Sequence, residues 1–435
     1  MKRAIALSGG GTKGSYELGV WKALRELRID YQIVTGTSIG SINGALMTTG
    51  DYDRAEELWN TITIKDMMED GINLTTTIEG MYDQREAIRP FLKKYVKNKG
   101  ADISPFTEFI EKLVDEQAVR DSKVDFGLVT VLFPSLVAKE LTKKDIPKGE
   151  LKEYILASAA IFPLFPMHKI GEKMYLDGCY HDNLPIDLAL RMGATDVIAV
   201  DLHTTPAHAN YANRPYVTYI KPSRSLGTMM NFDHDLLLDN IQMGYCDTMK
   251  VFGEYLGYEY TFTKRGVRKY KKAVNKFMEY LAKTDLYLLE DTPVKKIGIN
   301  GDYNRIFAVL QEKAEGKPMT KEQYFLRAAE LCGEFFGVDV RPVYSMSDFL
   351  PKIQEQLSGI ARYPEAKELV QKEKLELGKK LAELKIKQNS GYLTGCIYYA
   401  LQLKKDNPDR LLRVCSKLLP QEITAAIFLH ALTEE

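Results

Sequence analysis

Within its first fifty residues the chain twice runs from a short apolar segment, through a glycine-rich turn, into an amphipathic helix. Ala4 to Leu7 has the length of a buried strand, and Gly9 to Gly14 forms the first turn. Leu18, Trp21, Leu24 and Leu27 then recur at helical spacing, with Val20 alongside. Ile33 and Val34 begin a second strand, Gly36 to Gly40 a second turn, and Ile42, Ala45 and Leu46 a second helix. Strand, turn and helix repeated in this order predict an α/β sheet with helices on its faces.

The same alternation continues for about two hundred residues. Val124 to Leu132 reads as a buried strand, and Leu151 to Ala160 as a helix stopped by Pro163 and Pro166. Lys173 to Leu176 is a strand leading into Asp177-Gly178, and Pro185 opens a helix running to Met192. Val197 to Leu202 and Val217 to Ile220 are further strands, whereas residues 51–120 read as mostly helical and charged. Beyond about residue 225 strand-like runs vanish and Lys and Glu dominate. There, Thr320-Lys-Glu-Gln323 fits a capping box, and Val370, Leu377, Leu381 and Leu384 fall on one helical face. With 435 residues the chain holds two or three units. The expected division is a motif-bearing domain over 1–290 (its core 3–225) and an all-α region over 295–435 of unassigned role.

Charge excludes some function classes. Lys plus Arg equals Asp plus Glu, 59 each, so no whole-chain bias favours nucleic acid. Five scattered cysteines without a CxxC pair fit neither a zinc site nor a disulfide framework, and suit a reducing compartment. The N-terminal apolar run is too short for a signal peptide, and no run of 18 apolar residues suggests a membrane span. The expectation is a cytoplasmic protein whose membrane contact, if any, is peripheral.

Three short motifs carry chemistry. Gly9-Gly10-Gly11-Thr12-Lys13-Gly14 fits G-x-G-x-x-G between a strand and a helix. Its backbone N–H groups, at a helix start, serve a nucleotide phosphate or a reaction oxyanion equally well. Lys13 precedes Gly14, so the loop is not a P-loop. Gly36-Thr37-Ser38-Ile39-Gly40 is a G-x-S-x-G nucleophile elbow, with the N–H of Ile39 placed for an oxyanion; the alternative is a plain structural turn. Asp177-Gly178 by itself is an ordinary turn at a strand end. Taken together they supply a nucleophile, a base and oxyanion donors, which an acyl hydrolase needs and a cofactor-binding domain does not.

In order and spacing these motifs resemble the patatin-like phospholipases, as do ASAAIFPLFP at 157–166, YLDGCYHDNLP at 175–185 and GATDVIAVDL at 193–202. The resemblance covers roughly residues 3–225. It implies a three-layer α/β/α fold with a mostly parallel central sheet, a Ser–Asp dyad, and release of fatty acid from a lipid ester without metal or organic cofactor. Carried over residue by residue, Ser38 is the nucleophile and Asp177 its base. Gly9, Gly10, Gly11, Gly14 and Ile39 build the oxyanion hole, supported by Thr12, Lys13, Gly36, Gly40 and Gly178. The base function calls for a partly buried Asp177, because an exposed carboxyl has a pKa near 4. Two positions depart from the family: Lys13 stands where Arg is usual, and Cys179 where Gly or Ala is usual.

Other readings stay open on the sequence. His181 or His203 can replace Asp177 as base, with His168 also near the motif. The protein can instead be an inactive scaffold, or bind a nucleotide through its glycine loop. Lys264, Arg265, Arg268, Lys269, Lys271, Lys272 and Lys276 form a basic cluster, either a docking surface for anionic lipid or a solvated helix face. Lipid headgroup, chain length and oligomeric state are not encoded in any motif.

Overall fold

The computed structural model describes residues 2–68, 102–265, 267–290, 305–314, 317–359, 364–404 and 408–433. The chain divides into two compact units, Met1–Phe252 and Gly253–Glu435.

The first unit is built on one sheet of eight strands: β1 (Arg3–Leu7), β2 (Ile33–Thr37), β3 (Asp125–Phe133), β4 (Val137–Thr142), β5 (His168–Ile170), β6 (Lys173–Asp177), β7 (Asp196–Val200) and β8 (Val217–Ile220). Their order is β5-β6-β3-β2-β1-β7-β8, with β4 also paired to β3. β3, β2, β1, β7 and β8 run parallel, while β4 and β6 pair antiparallel to β3 and β5 antiparallel to β6. Alternation along β1 shows why helices cover both faces. Ile5 and Leu7 point into one apolar cluster, with α1 (Ser15–Glu26), α2 (Ile39–Thr49) and α3 (Tyr52–Thr61). Ala4 and Ala6 point into another, beneath the short helix Ile186–Arg191. The three layers follow from this two-sided burial.

One detail of register positions the site. β3 is nine residues long, and three strands share its two edges. β4 pairs with Gly127 to Leu132 and so occupies one edge along the middle of the strand. β2 pairs with Asp125 to Val129 and β6 with Thr130 to Phe133, so both lie on the opposite edge, end to end. Thr37 is opposite Val129 and Asp177 opposite Thr130, consecutive positions on β3. The last residues of β2 and β6 therefore meet.

The first unit ends later than the sheet and earlier than the boundary near residue 290 expected from composition. Helix His234–Val251 lies against α1 so closely that a Cβ on Gly19 would sit 1.9 Å from the Ile241 carbonyl oxygen. Helix Lys271–Glu290, in contrast, contributes Phe277 and Leu281 to the core of the second unit, beside Phe325 and Phe428.

The second unit is helical, with one departure from the all-α expectation. Tyr255–Leu256, Thr261–Thr263 and Val343–Tyr344 form a small three-stranded sheet, in runs too short to leave an apolar pattern. The capping box at Thr320 and Gln323 is present. Leu377, Leu381 and Leu384 are buried together on helix Lys374–Lys387. Val370 belongs to a separate helix, Glu365–Gln371, because Lys372 and Glu373 adopt extended backbone between the two. Of the helical stretch expected over 51–120, Tyr52–Thr61, Ser104–Leu113 and Glu116–Asp121 are helices, and 69–101 lies outside the described residues. Among the described residues no helix is long and apolar enough to cross a membrane.

Candidate active site

β2 ends on a run of close backbone approaches that only glycine tolerates. A Cβ on Gly36 would lie 2.1 Å from the Gly40 carbonyl oxygen, and one on Gly40 would lie 2.6 Å from that of Leu7. The chain turns so sharply between them that Ser38 is held at φ 55° and ψ −125°, a strained backbone for a residue with a side chain. Two hydrogen bonds hold it there. The Ser38 N–H donates to Ser158 Oγ at 2.9 Å, and Ser158 donates in turn to the Val129 carbonyl at 2.7 Å. Ser158 is fully buried, so loss of its hydroxyl would leave the Ser38 N–H without a partner.

Asp177 arrives from the other direction. Gly178 lets it close on β2 and β3: a Cβ there would sit 2.3 Å from the Val129 carbonyl oxygen and 2.9 Å from Thr37 Cγ2. The Asp177 side chain is 1% exposed, and its Oδ1 accepts from the Cys179 N–H at 2.8 Å. Burial pushes its pKa up to about 6, against the opposing pull of the Cys179 N–H, the Ser38 hydroxyl and the Cys179 thiol. The thiol itself is pushed up, first by burial and then by the Asp177 charge, which leaves it a poor nucleophile.

The glycine loop closes the arrangement. Gly9, Gly10, Gly11, Thr12 and Lys13 line the same pocket as Ser38, Ile39 and Asp177. Their N–H groups are not equivalent. That of Gly9 donates to the Asn183 carbonyl at 3.0 Å and that of Thr12 to the Met229 carbonyl at 2.9 Å. The expected oxyanion role of Gly9 is corrected accordingly. Gly14 sits inside the turn, pressed against Ile39 and away from the pocket wall, and the Lys13 N–H bonds back to the Gly10 carbonyl at 3.3 Å. Among the described residues, the N–H groups of Gly10, Gly11 and Ile39 meet no backbone acceptor. The three adjoin a single space beside Ser38.

The pocket holds about 340 Å³, and its far wall is apolar: Trp59, Phe106, Leu164, Phe165, Met230 and Phe232. Of the histidines, His203 lines it, its Nδ1 2.8 Å from Asp201 Oδ1. His168 pairs with Glu153 and His181 lies 3.9 Å from Glu140, and neither lines the pocket. Among the described residues no cluster of His, Cys, Asp and Glu could hold a metal ion.

Beneath the pocket lies a polar group that sequence reasoning passed over. Glu17 of α1 is buried, and it accepts from Asn43 Nδ2 at 2.7 Å. Asn43 also takes the indole N–H of Trp59 at 3.1 Å. Burial pushes the Glu17 pKa up to about 8, opposed by its bonds to Asn43 and the Ser8 backbone. Polar residues on otherwise apolar helix faces, such as Glu17 between Tyr16 and Leu18, were the available signal.

Comparison with known proteins finds similarity over the part of the chain that carries this geometry. The family model described as patatin-like phospholipase matches residues 5–190. Patatin-like phospholipase domain-containing protein 6 of Mus musculus is 30% identical over 202 residues, which are 46% of this chain and 13% of that protein. Lysophospholipase NTE1 of Mycosarcoma maydis is 28% identical over 203 residues, 46% of this chain and 10% of that protein. The chain thus corresponds to a small part of these much longer relatives. The crystal structure of VipD from Legionella pneumophila aligns over 99% of this chain and 90% of that chain, at 14% identity and a TM-score of 0.38, too loose to bear on fold or function. The match of the patatin-like phospholipase family model takes in the stretch that carries the elbow, the glycine loop and Asp177.

Proposed function

We propose that the protein is a lipid acyl hydrolase working through a Ser38–Asp177 dyad. The observation that carries this reading is a buried carboxyl, raised to about 6, set beside a strained serine at an apolar pocket. At neutral pH such a carboxyl is ionised yet more basic than an exposed one, the balance that a general base requires. Ser38 Oγ attacks the ester carbonyl carbon while its proton passes to Asp177. Negative charge collects on the former carbonyl oxygen, where the free N–H groups of Gly10, Gly11 and Ile39 can receive it. Collapse expels the alcohol, which takes the proton from Asp177, and leaves an acyl-Ser38. Water then attacks that ester, giving its proton to Asp177, and fatty acid leaves as Ser38 regains a proton. The apolar wall suits an acyl chain, and relatives named phospholipase and lysophospholipase support a lipid ester as substrate.

The nucleotide-binding alternative is less well supported, since the Gly9 N–H is already engaged and the cavity wall is apolar. The scaffold alternative is tested directly. Hydrolysis of a monoacyl phospholipid by the full chain, lost in Ser38→Ala, is the expected outcome; folded parent protein without esterase activity would replace this reading with the scaffold. Five cysteines, none of them in a disulfide, agree with a reducing, cytoplasmic setting. Peripheral contact with an anionic membrane is supported by exposed Lys264, Arg265, Lys269, Lys271 and Lys272. Lys264 is shared with Glu254 at 3.5 Å and Lys276 with Glu279 at 3.6 Å. Cosedimentation with vesicles should therefore rise with anionic lipid and fall with salt.

A further inference from the structure

Asn183 grips the glycine loop from both sides. Its carbonyl oxygen accepts the Gly9 N–H at 3.0 Å, and its side-chain amide donates to the Gly9 carbonyl at 3.0 Å and to Ser8 Oγ at 3.0 Å. The amide orientation follows from chemistry: the Gly9 carbonyl only accepts, so the NH2 group must face it. Both polar groups of Gly9 are thus bonded to one residue. The fit is tight, since a Cβ on Gly9 would lie 2.5 Å from Asn183 Oδ1 and 3.1 Å from Ser38 Cβ. Gly9 is a spacer held between Asn183 and the nucleophile.

The segment that carries Asn183 is itself stitched to the strand of Ser38. Thr37 Oγ1 donates to the Asp182 carbonyl at 2.8 Å, and Thr35 Oγ1 to the Pro185 carbonyl at 2.9 Å. Asp182 Oδ1 accepts the Leu184 N–H at 3.0 Å and lies 2.9 Å from His208 Nε2. A single turn, continuous with Asp177, is therefore bonded to the nucleophile strand by its backbone and to the glycine loop by one side chain.

We propose that Asn183 is a positioning residue for the reaction: it fixes Gly9, and through Gly9 the adjacent N–H groups of Gly10 and Gly11, relative to Ser38. This inference rests on the Ser38–Asp177 reading of the site. It differs from a packing role in its consequence. Loss of the two donated bonds leaves the apolar wall intact, so ground-state binding is retained while the oxyanion donors drift, a fault felt only in the transition state.

The test uses the full chain with Asn183→Ala and Asn183→Asp. The Asp variant keeps the volume and the Gly9 N–H contact but lacks the amide donors, so it reports even where Ala lowers the yield of folded protein. Active sites are titrated with a fluorophosphonate, and ester hydrolysis is expressed per titrated site. The expected result is a fall in kcat of about 100-fold in both variants, with KM within about twofold of the parent. A merely structural role would lower the titratable fraction and leave kcat per site unchanged, and that result would overturn the proposal. Ser38→Ala is measured in parallel. Activity surviving in Ser38→Ala would sink the site reading itself, whereas its loss together with parental kcat in both Asn183 variants would sink only the role of Asn183.

Discussion

Arg327 of the helical unit and two carboxyls of the sheet unit, Asp177 and Glu17, handle burial in opposite ways. In the helical unit, Arg327 is buried with two carboxylates around it, Glu330 at 3.2 Å and Glu334 at 2.6 Å. Burial works against the Arg327 charge, yet its carboxylate neighbours hold its pKa above the ordinary value. Glu330 also accepts the N–H groups of Tyr258 and Tyr260, tying the small sheet to helix Lys321–Phe335. In the sheet unit, Asp177 and Glu17 are buried with no basic group among the causes of their shifts, and both pKa values are raised. Arg327 is compensated where it is buried, whereas Asp177 and Glu17 store a penalty. The lesson concerns purpose: a compensated buried charge holds a fold, whereas an uncompensated carboxyl beside a strained serine is poised to take a proton.

The sharpest break between them is catalytic. Ser38→Ala and Asp177→Asn should each lower ester hydrolysis by at least about 1,000-fold, read as kcat/KM on a soluble ester, while Glu330→Ala should leave kcat per titrated site alone. Next in size, Glu330→Ala leaves the buried guanidinium to Glu334 alone and unties two backbone N–H groups. A loss of about 3 kcal/mol in the stability of the helical unit is expected, measured by urea denaturation.

Asp177→Asn should move stability the other way. The folded pKa of Asp177, about 6, lies above its ordinary 3.8, so folding favours the protonated form. Its contribution is fully present below about pH 4 and is lost as pH rises through 6. The amide of Asp177→Asn cannot ionise, so this variant should be more stable than the parent at pH 8, by about 3 kcal/mol, and no more stable at pH 4. Glu17→Gln follows the same sign with a later window. Glu17 rises from 4.5 to about 8, so the parent should lose melting temperature between pH 5 and 9 relative to the variant, with little difference at the acid end. The smallest effect belongs to Cys179→Ala. Its thiol helps to lower Asp177, so the acid limb of the rate profile should move up by a few tenths of a pH unit, on the order of one weak hydrogen bond.

Local features of the site were legible in the sequence because they are local in cause. The elbow at Ser38 and the glycine loop are turns that only particular short sequences can make, and each is flanked by apolar strand and helix patterns. The pairing of Ser38 with Asp177 is implied in the sequence only by the family resemblance that the motifs carry. Its physical cause, β2 and β6 meeting on one edge of β3, depends on a register that no motif encodes. Gly9 was assigned as a donor because its N–H competitor, Asn183, lies far along the chain and becomes a neighbour only in the fold. Ser158 and Glu17 escaped for the same reason: a lone polar residue on an apolar helix acquires meaning from what it faces. The strands at 255–256 and 343–344 are two residues each, too short for a period to show.

The central claim is that burial makes Asp177 the base for Ser38. The most direct test is the rate of fluorophosphonate labelling as a function of pH, with peptide mapping of the adduct. A single adduct on Ser38, forming faster as pH rises through about 6 and lost in Asp177→Asn, is the predicted result. An adduct on another residue, or labelling of Ser38 at the parental rate in Asp177→Asn, would contradict it.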